Sequence, residues 1–409
     1  MGIWIRKEGG VTAPEGFLAA GVGAGIKKNG KKDIALIYSE KTCTAAGVFT
    51  TNLVKAAPLL LDMEHLAKTG GKAQAVIVNS GNANACTGEQ GAKDAVAMAE
   101  LTAAKLGLKR EEVLVSSTGV IGVNMPMEKV TAGISLAAET LARSGGSAAA
   151  QAIMTTDTVP KEVALTFQLE GKEVTIGAMA KGSGMIHPNM ATMLCFITTD
   201  VAVEGEALRQ SLKTAVDATF NMLTVDGDTS TNDSVLVLAN GVAGNSPLTQ
   251  NSAGYADFTS ALTEVCREMA KKIAGDGEGA TKLLEVQVKN APTLQDARLV
   301  AKSVASSNLV KTALFGEDAN WGRILCAAGY SGANFDPAKV EIYLKSAAGE
   351  LQTAAQGAGI PFDEDQAAAI LKEKEIIFII DLRDGEAEAC AYTCDFSYDY
   401  VKINADYRT

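Results

Sequence analysis

Short β-rich runs alternate along this chain with alanine-rich stretches whose apolar positions recur at helical spacing. Asp33–Ser39 (DIALIYS) and Gln74–Asn79 (QAVIVN) read as strands. From Gly91 to Leu106, Ala and Leu fall at helical spacing. Val113–Ser116 predicts another strand and Met127–Ala142 a second helix. Val163–Leu169 and Lys172–Ala178 flank an EGK turn as the arms of a hairpin. A glycine-rich stretch and a proline turn then lead into Ala191–Thr199, which has the look of a buried strand. Gly205–Ala218 and the long amphipathic Tyr255–Ala274 predict helices, with Ser234–Ala239 and Leu283–Val288 as strands. Towards the end, Val340–Leu344, Ile376–Asp381 and Ala387–Thr393 predict strands, the last two joined as a hairpin through RDGE. Hairpins mixed with helices imply an α/β protein with mixed or antiparallel sheets rather than a doubly wound one. The clearest boundary is the Pro188 turn, which divides the chain into similar halves.

Composition narrows the class. The 409 residues are 47% hydrophobic and 21% charged, enough for a large core. Forty glycines against nine prolines point to tight turns rather than stiff linkers. A net charge of −11 with no like-charge block argues against nucleic acid as a partner. The apolar runs are strand-length, far short of the ~20 residues a membrane helix needs, and MGIWIRKEGG lacks the apolar core of a secretory signal. The seven cysteines (43, 86, 195, 266, 326, 390 and 394) form no CxxC pair, which fits a reduced, cytoplasmic setting with each thiol a small buried hydrophobe.

Much familiar chemistry is missing. With two histidines and no HExxH or Cys/His cluster, no metal is expected. His65 reads as a helix-surface residue, and His187, beside Pro188 and near Thr192, as a turn residue first and a site residue second. GDGEGATK (275–282) fails the phosphate-loop pattern, and TVDGDTSTNDS (224–234) fails the EF-hand spacing. Gly277-Glu278-Gly279 would present an exposed carboxylate on a sharply turned backbone. SSTGVIG (116–122), between a strand and a helix, has glycines that let N–H groups point out of a turn, the raw material of an oxyanion hole. Thr192 stands where the turn in KGSGMIHPNMATMLCFITTD (181–200) becomes a strand. Composition alone favours a plain β-branched strand residue there. The chemical alternative is cleavage just before it, after which its own α-amine serves the hydroxyl as general base.

Several long stretches, in order, carry a resemblance that spans essentially the whole chain. They are GVTAPEGFLAAGVGAGIKKNGKKDIALIYSE, VNSGNANACTG, VSSTGVIG, IMTTDT, MAKGSGMIHPNMATML, TVDGDTSTNDS, GDGEGATK, NWGRILCAAGYSG and DYVKINADYRT. The chain resembles the ornithine acetyltransferases, autoprocessed glutamate N-acetyltransferases of arginine biosynthesis. The resemblance implies a layered α-β-β-α sandwich of the N-terminal-nucleophile type. It implies self-cleavage between Ala191 and Thr192 into an α chain (1–191) and a β chain (192–409), assembled as two of each. Thr192 would be the nucleophile of a ping-pong transfer of acetyl from N-acetylornithine to glutamate, with Thr118 and Gly119 as the oxyanion hole. Substrate contacts would fall on Thr155, Lys181, Thr192, Glu278, Asn404 and Thr409. Thr156 lies beside Thr155, and the two are not separated by sequence. No cofactor is implied, though acetyl-CoA is a candidate co-substrate, and neither membrane nor nucleic acid is expected.

The residues suit these roles. Lys181 is a compact cation fit for an α-carboxylate. Glu278 suits the ornithine ammonium, while the same carboxylate would repel the glutamate side chain. NWGR (320–323) reads as a cationic contact or a structural feature, and NSGNAN (79–84) as a Gly/Asn turn. Two other function classes fit the same residues: an amidohydrolase or aminopeptidase with water as acceptor, and a non-catalytic amino-acid-binding protein that stays uncut.

Overall fold

In a computed structural model, the residues described are 4–28, 30–187 and 193–406. They fall into two compact units. The first comprises Met1–Gly182, Asn189–Asp217 and Thr229–Met269, and the second Ser183–Pro188, Ala218–Asp228 and Ala270–Thr409. Both units are discontinuous in sequence, so neither coincides with a half of the chain ending at residue 191. The expected cut at 191/192 concerns the covalent chain and lies outside the described residues.

The first unit is built on a nine-stranded mixed sheet: β1 (Ile5–Lys7), β2 (Phe17–Val22), β3 (Ile34–Phe49), β4 (Lys72–Asn82), β5 (Val113–Val120), β6 (Lys161–Leu169), β7 (Lys172–Lys181), β8 (Leu194–Thr199) and β9 (Ser234–Ala239). The strand order is β1-β6-β7-β8-β9-β3-β4-β5, with β2 also paired to β3. The β4/β5 and β8/β9 pairs are parallel and the others antiparallel. The β6–β7 hairpin turns through Glu170 and Gly171, both at positive φ, as a two-residue hairpin loop requires. Six helices begin in this unit: α1 (Ala57–Lys68), α2 (Gly88–Leu106), α3 (Met127–Glu139), α4 (Gly146–Ile153), α5 (Gly205–Ala218) and α6 (Tyr255–Gly275).

The two-residue period of the strands explains how the sheet is covered. Ala35, Ile37, Val76 and Val78 point to one face and pack with Ala149, Ala152 and Ile153 of α4. Ile34, Leu36, Ala75 and Ile77 point to the other and pack with Met98 and Ala99 of α2 and with Val130 and Ile134 of α3. Burial on both faces is why these strands are nearly continuous apolar runs. Each fully buried Val, Leu or Ile contributes roughly 1.5–3 kcal/mol of transfer free energy.

β5 lies at the sheet's edge, and α1 covers it with two polar side chains one turn apart. Asp62 Oδ1 accepts from the Val115 N–H (2.7 Å), and His65 Nδ1 bonds the Val113 carbonyl (2.8 Å). Those backbone groups face away from β4, and in a wider sheet they would pair with another strand. His65 is therefore fully buried, not on the helix surface. Asp62 Oδ2 and His65 Nε2 have no partner among the described residues. Burial raises the Asp62 carboxyl well above its ordinary value, with the Val115 N–H pulling the other way.

The second unit carries a six-stranded sheet of β10 (Leu283–Ala291), β11 (Glu341–Ser346), β12 (Gly349–Ala355), β13 (Ala358–Gly359), β14 (Glu375–Asp381) and β15 (Ala387–Cys394), ordered β13-β12-β11-β14-β10-β15. Its helices are α7 (Leu294–Ser306), α8 (Asn308–Phe315), α9 (Trp321–Gly329), α10 (Glu364–Leu371) and α11 (Tyr398–Ala405). Leu284, Val286 and Val288 of β10 pack with Ala297, Val300, Ala301 and Val304 of α7. β14 and β15 are not a hairpin. β10 lies between them, parallel to β14 and antiparallel to β15. The RDGE connection instead crosses the end of β10, where Leu382 and Asp384 donate to the Lys289 and Asn290 carbonyls (3.0 and 2.9 Å). The sheets are thus mixed α/β, as the pattern implies. Among the described residues no helix is long and apolar enough to cross a membrane.

Candidate functional site

In the first unit, SSTGVIG is not a loop between strand and helix. β5 runs through Val120, so Thr118 and Gly119 are strand residues at its C-terminal end. They lie beside Ser80 and Gly81 of β4, where the ladder register shifts at Asn82. Such an irregularity frees backbone groups from pairing. Thr118 is buried. Gly119 has φ +132°, and a Cβ on it would sit 2.4 Å from the Gly81 carbonyl carbon and 2.5 Å from the Asn82 nitrogen. Only glycine lets the two backbones approach this closely.

The NSGNAN stretch builds this approach. Its first four residues complete β4 rather than forming a turn. Asn79 Oδ1 accepts from Ser117 Oγ (2.6 Å), and Asn79 Nδ2 donates to the Asn82 carbonyl (2.8 Å). Asn232 Nδ2 donates to the Ala83 and Ser117 carbonyls (2.6 and 2.8 Å). The acid-rich 224–234 stretch thus supplies a strand lock. No group of three or more His, Cys, Asp or Glu among the described residues could hold a metal ion.

Lys181 ends β7, stands in register with Leu194 of β8, and is buried. Next to it in charge is Asp157, which pattern reading missed. Asp157 Oδ1 accepts from Lys161 Nζ (2.7 Å) and the Gly182 N–H (2.8 Å), and Oδ2 from the Thr155 N–H (2.9 Å). Burial alone would raise its carboxyl. The charges of Lys181 and Lys161 and these donated bonds prevail and hold it well below the usual range. Thr155 is half-buried and tied by its backbone. A second cation, Lys27, donates to the Lys32 and Met154 carbonyls (2.8 and 2.7 Å) in a loop gathered by Asp33. Burial, partly offset by Asp33, lowers Lys27 to about 8. The one sequence signal for Asp157 was its place in the MTTDT stretch.

In the second unit, Glu278 is buried rather than exposed. Its N–H donates to the Ser183 carbonyl (3.0 Å), and Oε2 accepts from Asn404 Nδ2 (2.8 Å). The carboxylate lies directly over Gly184, where a Cβ would meet its atoms at 2.3–2.5 Å. Asp226 holds the next two residues by accepting from the Met185 and Ile186 N–H groups (2.6 and 2.8 Å). Burial, and then the Asp226 charge and hydrogen bond, push the Tyr400 phenol up. His187 is half-buried, with Nδ1 3.0 Å from Thr224 Oγ1. NWGR proves structural: Asn320 caps α9, and Arg323 bonds the Leu309 carbonyl (2.8 Å). Cys86 and Cys326 are exposed and Cys390 half-buried, so only Cys43, Cys195, Cys266 and Cys394 are buried hydrophobes. Ala191, Thr192 and Thr409 lie outside the described residues.

Each unit thus holds buried charged groups beside close backbone approaches. A profile of the ArgJ family matches residues 18–409, and the chain belongs to that family. It is 60% identical over 408 residues to the arginine biosynthesis bifunctional protein ArgJ of Symbiobacterium thermophilum, covering 99% of this chain and 100% of the relative. It is 57% identical over 402 residues to the protein of the same description from Caldanaerobacter subterraneus subsp. tengcongensis, covering 98% and 99%. Among solved structures, the ornithine acetyltransferase of Mycobacterium tuberculosis complexed with ornithine is 47% identical, covers 46% of this chain and 100% of that one, and has a TM-score of 0.43.

Proposed function

We propose that this chain transfers acetyl from N-acetylornithine to glutamate, after cutting itself between Ala191 and Thr192. The observation that carries the reading is the β5 end at Gly119, where the backbone admits no side chain, within a chain of the ArgJ family. In the cut, Thr192 Oγ attacks the Ala191 carbonyl, the peptide C–N bond breaks as the hydroxyl proton passes to the leaving nitrogen, and water hydrolyses the ester to the Ala191 carboxylate and a Thr192 with free hydroxyl and α-amine. In transfer, Thr192 Oγ adds to the acetyl carbonyl and passes its proton to that amine. The Thr118 and Gly119 region stabilises the oxyanion. The C–N bond to ornithine breaks as the proton moves to the leaving nitrogen, and an acetyl ester remains. The glutamate amine attacks the ester, and Thr192 Oγ leaves with the proton.

Lys181 takes the α-carboxylate that both substrates carry, and Thr155 lines the same part of the first unit. Glu278, held by Asn404, takes the ornithine ammonium, and Thr409 supplies a further contact. Two α and two β chains form the working assembly, without a cofactor and in the cytoplasm. Acetyl-CoA is a second donor to test, with glutamate as acceptor.

Intact-mass measurement of the purified protein is expected to give chains 1–191 and 192–409. Labelled acetyl is expected to move from N-acetylornithine to glutamate without release as acetate. Thr192→Ala abolishes cleavage and transfer together. A fully active single chain of 42.4 kDa overturns the reading, and acetate release without glutamate favours a hydrolase.

A further inference from the structure

Asp157 belongs to none of the roles above, yet it organises three of the groups around them. Its two oxygens collect the Thr155 N–H, the Gly182 N–H and the Lys161 ammonium, all within 2.9 Å. Gly182 follows Lys181 directly, so the bond to its N–H fixes the backbone that carries the Lys181 side chain. The Thr155 bond fixes a second proposed contact from the same carboxylate. Asp157 and Lys161 are both fully buried side chains. Elsewhere in a core such a pair is weak evidence for stability, because desolvating two charges offsets most of their attraction. A buried pair that also gathers two backbone N–H groups next to a functional cation has a different use.

The charges around it are few. Lys161 comes from β6, Lys181 from β7, and Lys27 from the loop before β3, where Asp33 and Lys31 also act on it. Asp157 lies between two cations, Lys161 and Lys181, and Lys27 and Lys31 lie beyond with Asp33. An anionic group such as a carboxylate is the ligand that suits this setting.

We infer that Asp157 is a positioning residue: with Lys161 it holds Lys181 and Thr155 in register to receive the α-carboxylate of an amino-acid substrate. The inference rests on the proposed function for the identity of that substrate, but not for the test. Because Asp157 acts through Lys181, its effect is on carboxylate recognition and not on acyl chemistry.

The experiment is calorimetric binding of ornithine and of putrescine, the same diamine without the α-carboxylate, to wild type, Asp157→Asn and Lys161→Gln. Wild type prefers ornithine. Both variants are expected to weaken ornithine binding by about tenfold or more while leaving putrescine unchanged, since a hydrogen bond to a charged group is worth roughly this much. In turnover the same variants raise KM for N-acetylornithine and glutamate, with kcat within about threefold.

Three results overturn the inference. Tighter ornithine binding by Asp157→Asn, with weaker binding by Lys161→Gln, means the carboxylate only sets the local field. Equal loss of both ligands means a purely structural role. An unchanged preference means no role. If Asp157→Asn does not fold, Lys161→Gln decides the matter alone, because it keeps the buried carboxylate but removes the ammonium that orients it towards the two N–H groups. Lack of acetyl transfer by wild type, with the ornithine preference and its loss as described, refutes the proposed reaction and leaves the positioning role standing.

Discussion

Lys181 and Glu278 are the charged side chains proposed to meet substrate, and the two units hold them differently. Lys181 ends a central strand beside a fully buried ion pair, among residues with almost no contact with solvent. Glu278 is buried too, but its partner Asn404 sits on α11, a helix near the chain's end whose residues are almost all exposed. A group held by a core network moves only if the core moves. A group held by an exposed helix can be released by fraying one short element. The first arrangement suits a contact common to every proposed substrate, and the second suits one whose demands would differ between the proposed donor and acceptor.

This contrast can be broken most sharply at Gly119. Gly119→Ala puts a methyl within 2.4–2.5 Å of backbone at a positive φ that a side chain does not tolerate. Nothing there can yield cheaply, and acetyl transfer is expected to fall by 10²-fold or more, on the order of losing an oxyanion donor. Turnover within threefold of wild type would remove the strand end from the mechanism.

Gly184→Ala is the matching test in the second unit. Its methyl meets the far end of a flexible Glu278 side chain rather than backbone. The carboxylate can swing aside, so the expected loss is smaller, about tenfold in kcat/KM for N-acetylornithine. A larger loss than that of Gly119→Ala would reverse the ranking of rigid and yielding regions.

The smallest effect expected is on acid stability. Burial, and then the Lys302 charge, lower His187 from 6.5 to about 4, with Asp228 opposing. The unfolded chain therefore takes up the proton first as pH falls. The stability His187 contributes is complete above pH 6.5 and is lost as pH drops towards 4. His187→Gln should flatten that part of the Tm–pH curve by on the order of 1–2 °C, since the ring is only half-buried. An identical acid limb in the variant would show that this histidine plays no part.

Period and length placed most of the strands and helices, because burial on both sheet faces leaves unmistakable apolar runs. What they could not convey was which strands are neighbours. Ile376–Asp381 and Ala387–Thr393 look like a hairpin, yet β10, almost a hundred residues earlier, lies between them. Local pattern carries no record of that insertion. The same limit hid Asp157: an aspartate among threonines looks like turn chemistry until the fold brings Lys161 and Gly182 to it. His65 and Glu278 were misplaced for a related reason. A polar side chain looks exposed unless its buried partner, the edge of β5 or Asn404, is also known.

The helix side chains on the edge of β5 have a consequence for accuracy of alignment. Asp62 and His65 grip Val115 and Val113 at one end of the strand, and Asn79 and Asn232 grip Ser117 near the other. A strand can shift only in whole residues, each ~3.3 Å long and each exchanging its two faces. One step would bring Ser117 or Gly119 to the place of Thr118. Four side-chain bonds, spread over five residues, act as an index pin that allows the strand a single setting.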